Sequence, residues 1–166
     1  MATARLAASA LVALILLAAP VAKASDELGY RVHTKAAKFE DVRDDLRDAI
    51  IKRGFVIDYV GQLNAMLERT AVDTGSVTPL GARSPYKNAE YMQFCPAKLT
   101  HEAVSTTPYA IANCPIVLFV YETGAEPGKI KVGYRLPVAT PSRLMRQVND
   151  KFTALLEEIA KEAIGR

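Results

Sequence analysis

Two cysteines, Cys95 and Cys114, carry the most reactive chemistry in this chain, and each stands directly before a proline. They lie inside Tyr91 to Tyr121, a stretch that ends in the most apolar run after the N-terminal segment. Three chemistries fit the pair. A disulfide suits an even count in an oxidising compartment, and closing a loop of about 20 residues stabilises a fold by ~3 kcal/mol on the chain-entropy model. Thiol redox chemistry suits Cys95 if a helix begins just beyond it, because the helix dipole and free N–H groups favour a thiolate. A soft metal or a haem would draw on Cys95, Cys114, His101 or Met92. These alternatives share one requirement, that the two cysteines approach within ~7 Å between Cα atoms.

Spacing limits the third chemistry. His101 falls six residues after Cys95, about 240° round a helix at ~100° per residue, so it does not sit over the thiol. No C-x-x-C-H, H-E-x-x-H, G-x-S-x-G, G-x-G-x-x-G or phosphate-loop motif occurs. Enzymes built from dispersed carboxylates stay open, since their residues need no sequence proximity. The cofactor is accordingly left unknown. Tyr91 and Gln93 alternate onto the same strand face as Cys95, and with His101 they are the candidates for touching a bound ligand.

These residues need elements to hold them. Tyr91 to Phe94 reads as a strand with Met92 and Phe94 on the other face. Pro96 suits the first position of a helix over Ala97 to Ser105, which makes Cys95 its N-cap. Ile116 to Tyr121 is apolar without alternation, the pattern of a strand buried on both faces or central in its sheet. Lys129 to Pro137 alternates, with Ile130, Val132, Tyr134 and Leu136 on one side, and a Gly/Pro turn joins the two as a hairpin.

Upstream, Tyr30, Val32 and Thr34 alternate with Arg31, His33 and Lys35, which predicts a strand whose polar face, His33 included, is wet. Phe39, Val42, Leu46, Ala49 and Ile50 mark one side of a helix that Gly54 ends. Its other side carries Asp41, Asp44, Asp45 and Asp48 among arginines, and it reads as a solvated face because no metal-loop spacing accompanies it. Phe55 to Val60 predicts a strand ended by Gly61, then a short helix over Leu63 to Ala71 and a long loop from Asp73 to Lys87. The closing helix is expected to start with Thr140 as N-cap and Pro141 at N1. Leu144, Val148, Phe152, Leu155, Ile159 and Ala163 would then face the sheet, against Val117 and Phe119. The order β-α-β-(α)-β-α-β-β-α, without repeated βαβ units, predicts an α+β fold: a mostly antiparallel sheet with helices packed on one face.

Several of these residues together resemble a known family. Phe39 through Gly54-Phe55, Phe94-Cys95-Pro96-Ala97 with Leu99, Asn113-Cys114-Pro115 leading into Val120-Tyr121-Glu122, and Pro127-Gly128-Lys129 through Tyr134-Arg135 resemble the family catalogued as domain of unknown function 302, particularly its exported proteobacterial members. The likeness runs from about Phe39 to Ala163. It implies a sheet-and-helix fold similar to the TATA-binding-protein-like, helix-grip class, and no established reaction.

The N-terminus has the parts of a secretory signal: Arg5, an apolar run from Leu6 to Val21, and Ala22-Lys23-Ala24 as a cleavage site. The run is shorter than the ~20 residues that span a bilayer, so residues 1–24 are expected to be removed, leaving 25–166 as one domain without a stable membrane anchor. Periplasmic or secreted location follows as the expectation. Losing Arg5 and Lys23 from 21 basic residues leaves 19 against 18 acidic ones, a balance of +1. That balance implies no nucleic-acid surface. The expected role is an exported domain, not evidently an enzyme, that binds a small molecule or protein partner between the sheet and the final helix. The competing reading is a thiol/disulfide redox or soft-metal or haem-binding accessory protein that uses Cys95 and Cys114; among partners, a homodimer stays open.

Overall fold

A computed structural model of the chain describes residues 28–74 and 84–166. The expected export signal, and residues 75–83 of the expected long loop, lie outside them. Five strands form one antiparallel sheet in the order β1-β5-β4-β3-β2: β1 (Tyr30–Ala36), β2 (Ile57–Gln62), β3 (Tyr86–Phe94), β4 (Ile116–Thr123) and β5 (Lys129–Arg135). The helices are α1 (Phe39–Ile51), α2 (Leu63–Thr74), α3 (Ala97–Thr106) and α4 (Arg143–Ala163), with a 3-10 turn over Pro108–Asn113. The α+β architecture read from the sequence is the one observed.

The core lies between one face of the sheet and the layer formed by α1, α3 and α4. From β3, β4 and β5 it takes Met92, Phe94, Leu118, Val120, Ile130, Val132 and Tyr134. From α1 it takes Phe39, Val42, Leu46, Ala49 and Ile50, the side chains that helical spacing selects. Gly54, at φ +79°, ends that helix with its N–H on the Ile51 carbonyl at 2.8 Å, a conformation that costs glycine no Cβ clash.

Several expectations are corrected. The final helix begins later, with Ser142 rather than Thr140 as N-cap, its hydroxyl accepting from the Met145 N–H at 3.3 Å. Its buried side chains are Met145, Val148, Phe152, Leu156, Ile159, Ala160 and Ala163. At ~100° per residue this arc is turned by about 40° from the expected one, so Leu144 is 63% exposed and Leu155 only partly buried at the margin. Pro96, not Cys95, is the N-cap of α3. Gly61 lies within β2 instead of ending it, and β3 begins at Tyr86, five positions before the predicted strand.

The faces of β4 and β1 also differ from the reading. Along β4, buried residues alternate with half-buried ones, so Val117 and Phe119 turn away from α4 while Leu118 and Val120 face it. The sequence hides this because the second face is apolar as well. On β1, Arg31, His33 and Lys35 pair with Tyr134, Val132 and Ile130 and therefore share the helix side. The edge of the helix layer is polar there: Lys35 Nζ reaches Asp45 Oδ2 of α1 at 3.2 Å, and His33 Nε2 reaches Glu157 Oε2 of α4 at 3.0 Å. Val32 and Tyr30 belong to the opposite, open face.

Candidate functional site

The open face owes its shape to one row of cross-strand partners. Gly61 of β2 pairs with Tyr91, Tyr91 with Phe119, Phe119 with Gly133, and Gly133 with Val32. Paired residues of an antiparallel sheet share a face, so two aromatic rings stand between two glycines. A Cβ on Gly61 would run into the Tyr91 ring, and one on Gly133 into the Phe119 ring and the Arg31 carbonyl. Each ring thus lies over a glycine, flat against the sheet. The glycines are what make the floor smooth.

Further rings extend it. Tyr59 packs on Tyr91 with centroids 5.9 Å apart, Phe119 on Tyr121 at 6.1 Å, and Tyr86 meets Tyr121 edge-on at 5.4 Å. Burial raises the Tyr121 hydroxyl above its ordinary pKa, and Lys131, whose ammonium sits 5.7 Å from the ring centroid, opposes that rise. Over this floor is a cavity of about 1110 Å³, walled by Leu63 of α2, by Leu28 and Gly29 ahead of β1, and by Leu136 to Ala139 after β5. Its volume is at the upper end for small-molecule sites. The space expected between the sheet and the final helix is filled by the core, and the cavity lies on the other side of the sheet.

Of the residues singled out from sequence, Tyr91 and Gln93 line this cavity. His101 does not, being exposed on α3. Cys95 and Cys114, 19 positions apart in the sequence, are joined as a disulfide with Cα atoms 5.6 Å apart. They flank the rung where Phe94 pairs with Ile116, which is one step beyond the Gln93–Val117 rung at the cavity wall. The bridge therefore ties the end of β3 to the start of β4, across the excursion made by α3 and the 3-10 turn. Met92 is buried on the helix side of the sheet, away from both cysteines. Among the described residues, no group of three or more His, Cys, Asp or Glu is placed to hold a metal ion.

A second polar cluster went unread in the sequence. Tyr134, fully buried on β5, donates its hydroxyl to Glu157 Oε2 at 2.6 Å, where His33 Nε2 also points, while Lys161 Nζ lies 3.0 Å from Oε1. Burial pushes the Glu157 carboxyl up, but the Tyr134, His33 and Lys161 donors outweigh it and hold the group at about 2. Burial and the adjacent carboxylate push the Tyr134 hydroxyl far up, so it remains a donor. The available signal was Tyr134 itself: a tyrosine on the core-facing side of a strand requires a partner for its hydroxyl. His33, read as solvated, is that cluster's third member. A further buried carboxylate, Glu122, accepts from Gly128 N–H at 2.8 Å, Asn88 Nδ2 at 3.1 Å and Lys87 Nζ at 3.2 Å. It fastens the β4–β5 turn to β3.

The profile of the family described as "Domain of unknown function DUF302" matches residues 30–163 of the chain. Among solved structures, the crystal structure of an uncharacterized conserved DUF302 protein from Bacillus stearothermophilus superposes with a TM-score of 0.64 at 11% identity, covering 82% of this chain and 98% of that one. At that identity the likeness is one of fold. The comparison with curated proteins gives no match.

Proposed function

We infer that this chain, which belongs to the family described as domain of unknown function DUF302, is an exported, non-enzymatic binding domain that takes a small apolar ligand on the open face of its sheet. The observation that carries this reading is the cavity of about 1110 Å³ over the Tyr91 and Phe119 rings. Its floor is rigid because the rings are seated over Gly61 and Gly133 on hydrogen-bonded strands. A rigid apolar floor binds without ordering loops first, which spares the entropy such ordering costs. Gln93 and the tyrosine hydroxyls supply the few polar groups that orient a ligand in such sites.

Cys95 and Cys114 take a structural role in this reading, since the bridge lies off the cavity and closes a chain excursion. Among the described residues, no helix is long and apolar enough to cross a membrane. Export rests on the N-terminal segment, and the intact mass of protein recovered outside the cytoplasm tests it: a mass retaining residues 1–24 refutes it. Binding is tested by adding phenylnaphthylamine, a neutral apolar fluorophore, to isotope-labelled protein. Amide shifts confined to the Tyr91, Phe119 and Gly133 rungs are expected. Shifts confined to the helix layer, or none, would overturn the reading.

A further inference from the structure

The charge of the cavity narrows what it would hold. Tyrosines aside, two ionisable side chains among the described residues border it, Glu90 and Arg135. Glu90 pairs with Val120, whose side chain is in the core, and its carboxylate is turned to the helix side, where Arg43 Nη1 of α1 lies 3.8 Å from Oε1. Glu90 thus borders the cavity through its backbone, and its charge is directed at α1. Arg135 is different. It alternates onto the open face with Gly133 and Lys131, is exposed at the end of β5, and has no ion pair or hydrogen bond to another described side chain. Lys129 and Lys131, which also alternate onto this face, are both held by Glu126, and Lys131 lies against Tyr121.

Among the described residues, the cavity therefore combines a flat aromatic floor with the Arg135 guanidinium at its rim, which no described side chain holds, and no carboxylate aimed into it. We propose that the ligand is a planar or elongated apolar anion, its rings or chain lying on Tyr91 and Phe119 and its carboxylate, sulfonate or phosphate group meeting Arg135. A guanidinium offers such a group two parallel N–H donors, and charge-assisted bonds of this kind are about twice as strong as neutral ones. Aromatic faces likewise favour a flat apolar body over a bulky one. The proposal rests on the open-face binding reading and adds the chemical class of the ligand.

Two fluorophores that differ by one charged group test it: anilinonaphthalene sulfonate, and phenylnaphthylamine, which has the same rings without the sulfonate. Both are titrated into the wild-type chain, Arg135→Gln and Arg47→Gln, the last removing a cation from the exposed side of α1. Thermal melts establish that all three are folded. The expected result is saturable binding of both probes to wild type, with Arg135→Gln weakening the sulfonate by about tenfold or more and leaving the amine unchanged. Arg47→Gln should leave both unchanged. If both probes bind and Arg135→Gln affects neither, or affects them equally, the anion anchor is overturned while open-face binding stands. An equal loss of sulfonate affinity in Arg47→Gln reduces the effect to net charge and also overturns it. If neither probe binds the folded wild type, the cavity reading fails and this inference with it.

Discussion

Changing Glu157 to Gln removes a charge from the Tyr134–His33–Lys161 cluster while nearly keeping the shape of the side chain. The carboxylate accepts from Tyr134 at 2.6 Å, and it is held at about 2 against an ordinary value of 4.5. At about 1.4 kcal/mol for each factor of ten in proton affinity, that difference corresponds to about 3 kcal/mol of stability. The side chain is 22% exposed, so solvent screening brings the expected figure to about 2 kcal/mol. Because the folded state depresses this carboxyl, the stabilisation is complete above pH 4.5 and is lost as the pH falls from there towards 2. Urea unfolding of wild type and Glu157→Gln at several pH values between about 7 and about 2 measures it. The gap between the two should be about 2 kcal/mol near neutrality and should close on the acid side. Other depressed carboxyls, Glu122 among them, tilt both curves alike, so the difference isolates Glu157. A gap that stays constant across the range would refute the reasoning. Tyr134→Phe should shift the closing to higher pH, since one of the donors that hold the carboxyl down is gone.

Three other outcomes follow from the packing. Phe152→Ala, at a site 1% exposed, should cost about 3–5 kcal/mol and lower the melting temperature by about 10 °C or more, whereas Leu144→Ala, at 63% exposure, should change stability by less than about 0.5 kcal/mol. Equal losses at the two positions would place the face of α4 wrongly. Replacing both Cys95 and Cys114 by Ser should lower unfolding stability by about 3 kcal/mol for a bridge spanning 19 positions, and the phenylnaphthylamine affinity should be retained; loss of binding in a folded variant would contradict the structural role of the bridge. Gly133→Ala should destabilise by about 1–3 kcal/mol because the new Cβ meets the Arg31 backbone as well as the Phe119 ring, and Gly61→Ala by less, since only the Tyr91 side chain must swing aside; chemical denaturation ranks the two, and the reverse order would overturn the account of the floor.

Much of the fold was legible because local periodicity is a direct consequence of burial on one side. The residues of α1 that spacing selects are the ones buried, and Ile130, Val132 and Tyr134 fall on the core side of β5 as alternation requires. The cysteine pair was legible too, since two element boundaries joined by a single out-and-back excursion meet at neighbouring strand ends. Tyr91 and Gln93 were placed correctly on one face by period alone. What period could not say was which face of the sheet the helices cover. In β4 both faces are apolar, so Val117 and Phe119 carried no mark distinguishing an open aromatic floor from a core. In β1 the polar face is the one that meets the helix layer, because Glu157 and Asp45 stand at that layer's edge to receive it. The arc of α4 was displaced for a related reason: an amphipathic helix defines an apolar stripe, but its rotation depends on the surface it meets, here one that takes Met145 and Leu156 in place of Leu144 and Leu155. The floor itself arises only from register. Gly61, Tyr91, Phe119 and Gly133 lie on four strands far apart in the chain, and the hydrogen bonds that align them are a property of the assembled sheet.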